Sequence, residues 1–253
     1  MGTVSDPVTH HDAAGSVSGM AGGSVNPANA APGIDVGAVA RRLYVGGSPV
    51  ARLIQHHRHR IAPVAALVQA VPPGSRVLDV GCGGGLLLFC LAAAGRMREG
   101  LGIDSSDVAI AAAQGAARRL AAEPGAVVPR FVRRPVQAGL PEGEFDVVCL
   151  VDVLHHVPPV AQERAFRDAA SRVRPGGMLL YKDMCDAPAW RACMNRLHDL
   201  VMARQWINYV PIERADGWAR SCGLATERAE ERSMLWYGHE LRVYRRPGGA
   251  AAP

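Results

Sequence analysis

The run Asp79-Val80-Gly81-Cys82-Gly83-Gly84-Gly85 sets four glycines and a carboxylate directly after a β-rich stretch, RVLDV at 76–80. Glycine lets a backbone turn tightly and lets a ligand approach where a Cβ would collide. Counted from Gly81, the dinucleotide spacing G-x-G-x-x-G fails, because Leu86 stands at the third glycine position. Counted as acidic-x-G-x-G-x-G, the residues Asp79, Gly81, Gly83 and Gly85 fit a nucleoside-binding turn with Cys82 inside it. The Asp79 carboxylate there either holds the loop or accepts hydrogen bonds from an ammonium-bearing ligand. Nineteen residues beyond Gly85, Asp104 ends the next β-rich run with Ser105 beside it. A carboxylate at that point accepts bonds from both ribose hydroxyls, or caps the helix that follows.

A third group is Asp152-Val153-Leu154-His155-His156-Val157-Pro158, after the β-rich run at 145–151. Histidine titrates in the range a general base needs, so His155 and His156 are candidates to take a proton from an acceptor, with His155 favoured. The plain alternative is a pair of core or surface histidines. Lys182 and Asp183 close a later β-rich run and are the next candidates, or a structural pair of opposite charges. The six cysteines contain no C-x-x-C pair, so neither a zinc module nor a disulfide framework is expected, and no metal ligand is assigned. They read as small core residues in a reducing compartment.

These residues need elements to position them. β-rich runs at 76–80, 99–104, 127–132, 145–151 and 178–183 alternate with helical stretches at 85–95, 106–121 and 160–173, the last ended by Arg174-Pro175-Gly176-Gly177. Such alternation predicts an α/β fold, an open and mostly parallel sheet with helices on both faces. Ligands then bind outside the carboxyl ends of the strands, where each of the three groups lies. The stretch 224–247 reads as two more strands joined as a hairpin. One domain is expected over 34–247, with N-terminal helices at 35–71 and a helical insert at 187–209. The insert carries Trp190, Met194, Leu197 and Val201 on one stripe, and Trp206 and Tyr209 follow; they read as an apolar acceptor pocket or simply as core. Residues 1–33 and 248–253 are small, polar and Gly/Pro-rich, which predicts a disordered leader and tail.

Composition narrows the function classes. The hydrophobic fraction of 49% fills an ordinary core, and no run reaches the roughly 18 apolar residues of a membrane span. The N-terminus has neither a basic region nor an apolar one, so no signal peptide is expected and a cytoplasmic location is. The net charge of +5 is no clear nucleic-acid signal: of 28 basic residues only Lys182 is lysine, and the arginines are scattered. That bias fits a GC-rich coding sequence, and the densest run, at 56–60, is short.

Together VLDVGCGGG, the acidic end of the second strand, FDVVCLVDVLHHV and RPGGMLL resemble class I S-adenosylmethionine-dependent (SAM-dependent) methyltransferases, in particular the ubiquinone/menaquinone-biosynthesis-like, type 11 group. The resemblance covers 75–183 in specific motifs and 213–246 in general pattern. It implies a Rossmann-like seven-stranded sheet in the order 3-2-1-4-5-7-6 with an antiparallel last strand, and S-adenosylmethionine as cofactor. It also implies that Gly81–Gly85 contacts the methionine end, Asp104 the ribose, and Asp152 the sulfonium and the acceptor. The group carries an acid after strand three, where this chain has Val136; adenine then rests on apolar packing, backbone groups or Gln137. The expected activity is O- or C-methylation of a small molecule, a phenolic, quinone-like or polyketide/lipid intermediate. A non-catalytic SAM-binding regulatory or scaffold subunit is the alternative, and a nicotinamide oxidoreductase the third reading.

Overall fold

The structure is a computed structural model, and the residues it describes are 34–45, 64–184, 208–234 and 237–249. The leader at 1–33, the basic run at 56–60, Cys185 and Cys193, nearly all of the 187–209 insert and the tail from 250 lie outside them.

Six described helices and seven strands follow in chain order: α1 Val36–Leu43, α2 Val64–Ala70, β1 Ser75–Val80, α3 Leu86–Ala93, β2 Met97–Asp104, α4 Asp107–Leu120, β3 Arg130–Arg133, β4 Phe145–Val151, α5 Pro159–Ser171, β5 Val173–Met184, α6 Ile212–Ser221, β6 Ala225–Met234 and β7 Tyr237–Arg245. The sheet order is β3-β2-β1-β4-β5-β7-β6. β1 pairs in parallel with β2 and β4, and β5 in parallel with β4, while β7 runs antiparallel to both β5 and β6. Order and direction are those the resemblance implied.

Central strands covered on both faces must be apolar on both. Val77, Leu78 and Val80 of β1 and Val147 to Leu150 of β4 are accordingly fully buried. Successive residues along these strands enter different cores: Val77 and Val147 pack with α1 to α4, and Leu78 and Val148 with α5 and α6. The all-round apolar α3 is buried from Leu86 to Leu91, as a helix wedged between sheet and helices should be. α4 opens on Ser106, whose hydroxyl accepts from the Ala109 amide, and closes on Arg118 and Arg119.

Several elements differ from the sequence expectation, among them β2, which begins at Met97 instead of 99. β3 begins at Arg130 instead of 127, because Pro129 has no N–H to give to a ladder. Arg174-Pro175-Gly176-Gly177 lies inside β5 and forms an irregularity there: Phe145 faces Val173, but Val147 faces Met178. α6 was not foreseen. Its signals are Pro211 just before the helix and Ala215, Trp218 and Ala219 on one buried stripe.

At the amino ends of the strands Asp146 joins four of them. Its Oδ2 accepts from the Arg76 amide of β1 at 2.7 Å and from Arg98 of β2 at 2.9 Å, and its Oδ1 accepts from Arg174 of β5. Partial burial raises the carboxyl pKa, but the Arg76 amide and the two guanidiniums outweigh it and hold the group below the usual aspartate value. A depressed folded pKa means stability that is present above the unfolded pKa and lost as pH falls through the folded one. Asp146→Asn should therefore lower unfolding stability at pH 7 by about 1–2 kcal/mol. The gap between wild type and variant should close as pH falls below the ordinary aspartate value of 3.8, read from urea unfolding at several pH values.

Candidate active site

A cavity of about 280 Å³ opens at the carboxyl ends of β1, β2 and β4. Val80 and Gly81 form its floor, Asp104, Ser105 and Ser106 one side, and Arg134, Val136 and Gln137 an end; Asp152, Val153, His156 and Val157 close it from β4. Of the residues expected at the site, Gly81, Asp104, Ser105, Gln137, Asp152 and His156 line this cavity. Asp79, Cys82, Gly83, Gly85 and His155 are not on its wall.

Asp104 ties the glycine turn to the sheet. Its Oδ2 accepts from the Gly83 amide and its Oδ1 from the Ser106 amide, both at 2.8 Å. The helix cap that the sequence left open for Asp104 belongs to Ser106 instead. Gly81 and Gly85 both adopt positive φ, at 71° and 82°. A Cβ on Gly81 would stand 2.4 Å from a Val153 methyl, and one on Gly85 would stand 2.5 Å from the Phe131 ring. Asp79 is buried at the end of β1 opposite Cys149. Burial first, and then the nearby Asp79 charge, push the Cys149 thiol up, and burial alone pushes the Cys90 thiol up to about 12, so both stay protonated and inert. Cys82 is likewise a buried free thiol.

The turn after β4 is held by charges. Asp152 is the one non-glycine of positive φ among the described residues, at 56°. Its amide donates to the Lys182 carbonyl at 2.9 Å, and the Lys182 ammonium donates to its Oδ1 at 2.5 Å. Nδ1 of His155 pairs with Oδ1 of Asp183, and both residues are buried. Lys182 and Asp183 are thus not partners of each other. Neighbours on a strand project to opposite faces, so one grips residue 152 and the other residue 155. The second oxygen of Asp183 and the Tyr181 hydroxyl are buried without a hydrogen-bond partner among the described residues. Burial, and after it the Asp183 charge, push the Tyr181 phenol well up. His156 stacks 4.0 Å from His155, ring to ring, and turns outward to the cavity.

Asp152, His155 and Asp183 each offer a ligand atom within 4.8 Å of the others, a donor set the sequence had not brought together. All three residues are engaged already, Asp152 with an ammonium and His155 and Asp183 with each other. A positive charge thus occupies the place where an ion would add its own.

Residues 51–229 match the family described as "Methyltransferase domain". The chain belongs to that family. It is 40% identical over 109 residues to a ubiquinone biosynthesis O-methyltransferase of Aromatoleum aromaticum, a match covering 43% of each chain. It is 34% identical over 155 residues to the protein of that name in Xanthomonas campestris pv. campestris, covering 60% of each. The matched stretch therefore spans only about half of these relatives' length. Among solved structures, the magnesium protoporphyrin IX methyltransferase of Synechocystis with bound SAM is 21% identical and superposes with a TM-score of 0.59, over 83% of this chain and 90% of the other. An O-methyltransferase family protein of Burkholderia thailandensis is 25% identical with a TM-score of 0.57, over 79% and 58%. At such identities these structures speak to the fold.

Two residues that hold the glycine turn and the loop after β3 went unnoticed in the sequence. The Tyr44 hydroxyl donates to the Gly84 carbonyl at 2.7 Å and docks the end of α1 on the glycine turn. Arg134 donates to the Gly139 carbonyl at 2.6 Å and the Ala138 carbonyl at 3.2 Å, which shapes the loop after β3. Tyr44 follows the amphipathic α1, but no local pattern announces its partner 40 residues on.

Gly81→Ala tests the turn. A left-handed alanine costs about 1–2 kcal/mol, and its methyl must displace the stiff, β-branched Val153. The expected result is a lower melting temperature, with Val153 driven into the cavity; an unchanged melting temperature would mean that the turn relaxes freely.

Proposed function

We propose that the chain binds S-adenosylmethionine in this cavity and transfers its methyl group to a hydroxyl oxygen of a small molecule. The observation that carries this reading is Asp104, a carboxylate at the end of β2 that faces the cavity and fixes the glycine turn opposite. The other walls fit the same ligand. Ile103, Val136, Val153 and Val157 offer apolar faces to a flat base, and the Gln137 amide lies at that end to meet its polar edge. Asp104 would hold the ribose hydroxyls, with Ser105 beside it, and Gly81 to Gly85 would admit the methionine end. Val136 stands where the resemblance implies an acid, so shape and the Gln137 amide would replace charge there.

When bound, the cofactor supplies an electrophilic methyl on a sulfonium: the acceptor oxygen takes the methyl, and the S–C electron pair stays on sulfur. The protein must align the two partners, exclude water and accept a proton. A phenolic hydroxyl near pKa 10 keeps its proton at neutral pH and gains from a base. We assign that task to His155: Asp183 engages its Nδ1, so proton uptake falls to Nε2, and the ring reaches the site from beside His156 without standing on the cavity wall itself. The Asp183 carboxylate then compensates the imidazolium. Burial at 2% exposure, with Asn208 bonded to the His155 carbonyl, keeps bulk water from the ring. His156, on the cavity wall, serves the cofactor side.

That the ubiquinone-biosynthesis relatives are O-methyltransferases supports oxygen over carbon as the acceptor atom. Among the described residues no helix is long and apolar enough to cross a membrane. Free thiols at Cys82, Cys90, Cys149 and Cys222 agree with action in the cytoplasm. No observation favours a non-catalytic subunit.

Calorimetry with S-adenosylmethionine, S-adenosylhomocysteine and NAD tests the ligand; tighter binding of NAD would overturn the assignment. Asp104→Ala should weaken cofactor binding by about 1.5–3 kcal/mol for each charge-assisted bond lost. An unchanged dissociation constant in a folded variant would confine Asp104 to the turn. His155→Gln should lower kcat about 10²–10⁴-fold on a phenolic acceptor while cofactor affinity holds. Full turnover in that variant would return His155 to the core.

A further inference from the structure

The chain has 28 lysines and arginines, and its single lysine is Lys182. Every other described ion pair of a lysine or arginine uses arginine, most of them at exposed or half-exposed positions. Lys182 is 1% exposed. It stands on β5 beside Val151, the last residue of β4, with its ammonium on Asp152. An ammonium is a compact point charge, whereas a guanidinium is a broad planar fork; the one lysine stands where only the compact charge is enclosed. Asp152 is the backbone outlier of the described chain, and it is gripped twice by the same residue, through the Lys182 carbonyl and through its ammonium. A non-glycine residue keeps a left-handed backbone only where its surroundings over-determine it, and such places cluster at functional sites.

We propose that Lys182 is a positioning residue of the methyl-transfer site, holding Asp152 on the cavity wall and masking its carboxylate from the cationic sulfur of the cofactor. The inference rests on the cofactor-binding reading of this cavity, whose wall includes Asp152, and on the methionine end entering at the glycine turn, which would bring the sulfonium near that carboxylate. A carboxylate facing a sulfonium stabilises the charged ground state. Sulfur loses its charge as the methyl leaves, so that attraction fades toward the transition state and the barrier rises. An ammonium bonded to the carboxylate cancels most of the attraction while keeping the side chain in place. A pair that merely filled the core would have no effect on how the protein tells a charged ligand from its neutral counterpart.

S-adenosylmethionine and S-adenosylhomocysteine are such counterparts, differing by one methyl and one positive charge. Calorimetry on the full chain should show that Lys182→Met raises the preference for the charged ligand about tenfold or more, since one unit charge a few ångströms away is exposed. Asp152→Asn and the double variant Lys182→Met/Asp152→Asn should not raise it. An unchanged preference in a folded Lys182→Met protein would overturn the proposal. Should that variant not fold, the wild type decides, because its only lysine gives a single ζ-¹⁵N ammonium resonance. That resonance should shift more with S-adenosylmethionine than with S-adenosylhomocysteine, and equal shifts would overturn the proposal. Wild-type protein that binds neither ligand would instead remove the reading of the cavity, and this inference with it.

Discussion

Strand order reverses beside β1: the chain runs outward through β2 to β3, then returns to place β4 on the other side of β1. The helices that follow leave in opposite directions, α3 and α4 to one face of the sheet, α5 and α6 to the other. Between them, at the carboxyl ends of β1 and β4, this topology leaves a crevice. The glycine turn ends β1, Asp104 ends β2, and Asp152 follows β4, so residues far apart in sequence reach one opening without any long loop. Asp104 then locks the opening, because one carboxylate bonds amides on both sides of it.

The sheet carries two groups of charges, and their surroundings differ as their tasks do. Asp146 sits at the amino ends with arginines that are half-exposed, and it knits neighbouring strands together where water still reaches the partners. At the carboxyl ends, Lys182, Asp183 and His155 are almost wholly buried, and Asp183 keeps one oxygen without a partner. Burying charge costs more than burying apolar side chains of like volume, and often returns no net stability. A fold selected for stability alone would place such a group at the other end, where solvent is at hand. Its place beside the crevice, on a strained turn, marks it as machinery that the surrounding core must hold.

Much of this was legible in the sequence, and what was legible was local. The turn from Asp79 to Gly85 declares itself by glycine spacing, and β1 and β4 by short runs rich in apolar residues, because the physics that shapes them acts over a few residues. The partners of Lys182 and Asp183 were not legible. Lys182 meets Asp152 across 30 positions and Asp183 meets His155 across 28, so only the register of β4 on β5 joins them. Read alone, Lys182 and Asp183 look like a pair; the alternation of a strand separates them. α6 was missed for a different reason: Arg214, Asp216, Gly217 and Arg220 dilute its apolar stripe, and only packing against α5 reveals it.

The departure at Val136 has its own physical logic. The loop after β3 owes its shape to Arg134, whose guanidinium bonds the carbonyls of Ala138 and Gly139 while reaching the cavity wall. A carboxylate in the place of Val136 would lie on the same short turn, and an ion pair with Arg134 would compete with those carbonyls for its donors. With valine there, the guanidinium stays on the backbone and the loop keeps its form. Val136 then adds to the apolar lining that Val153 and Val157 give the same cavity. The Gln137 amide beside it can donate as well as accept, where a carboxylate could only accept.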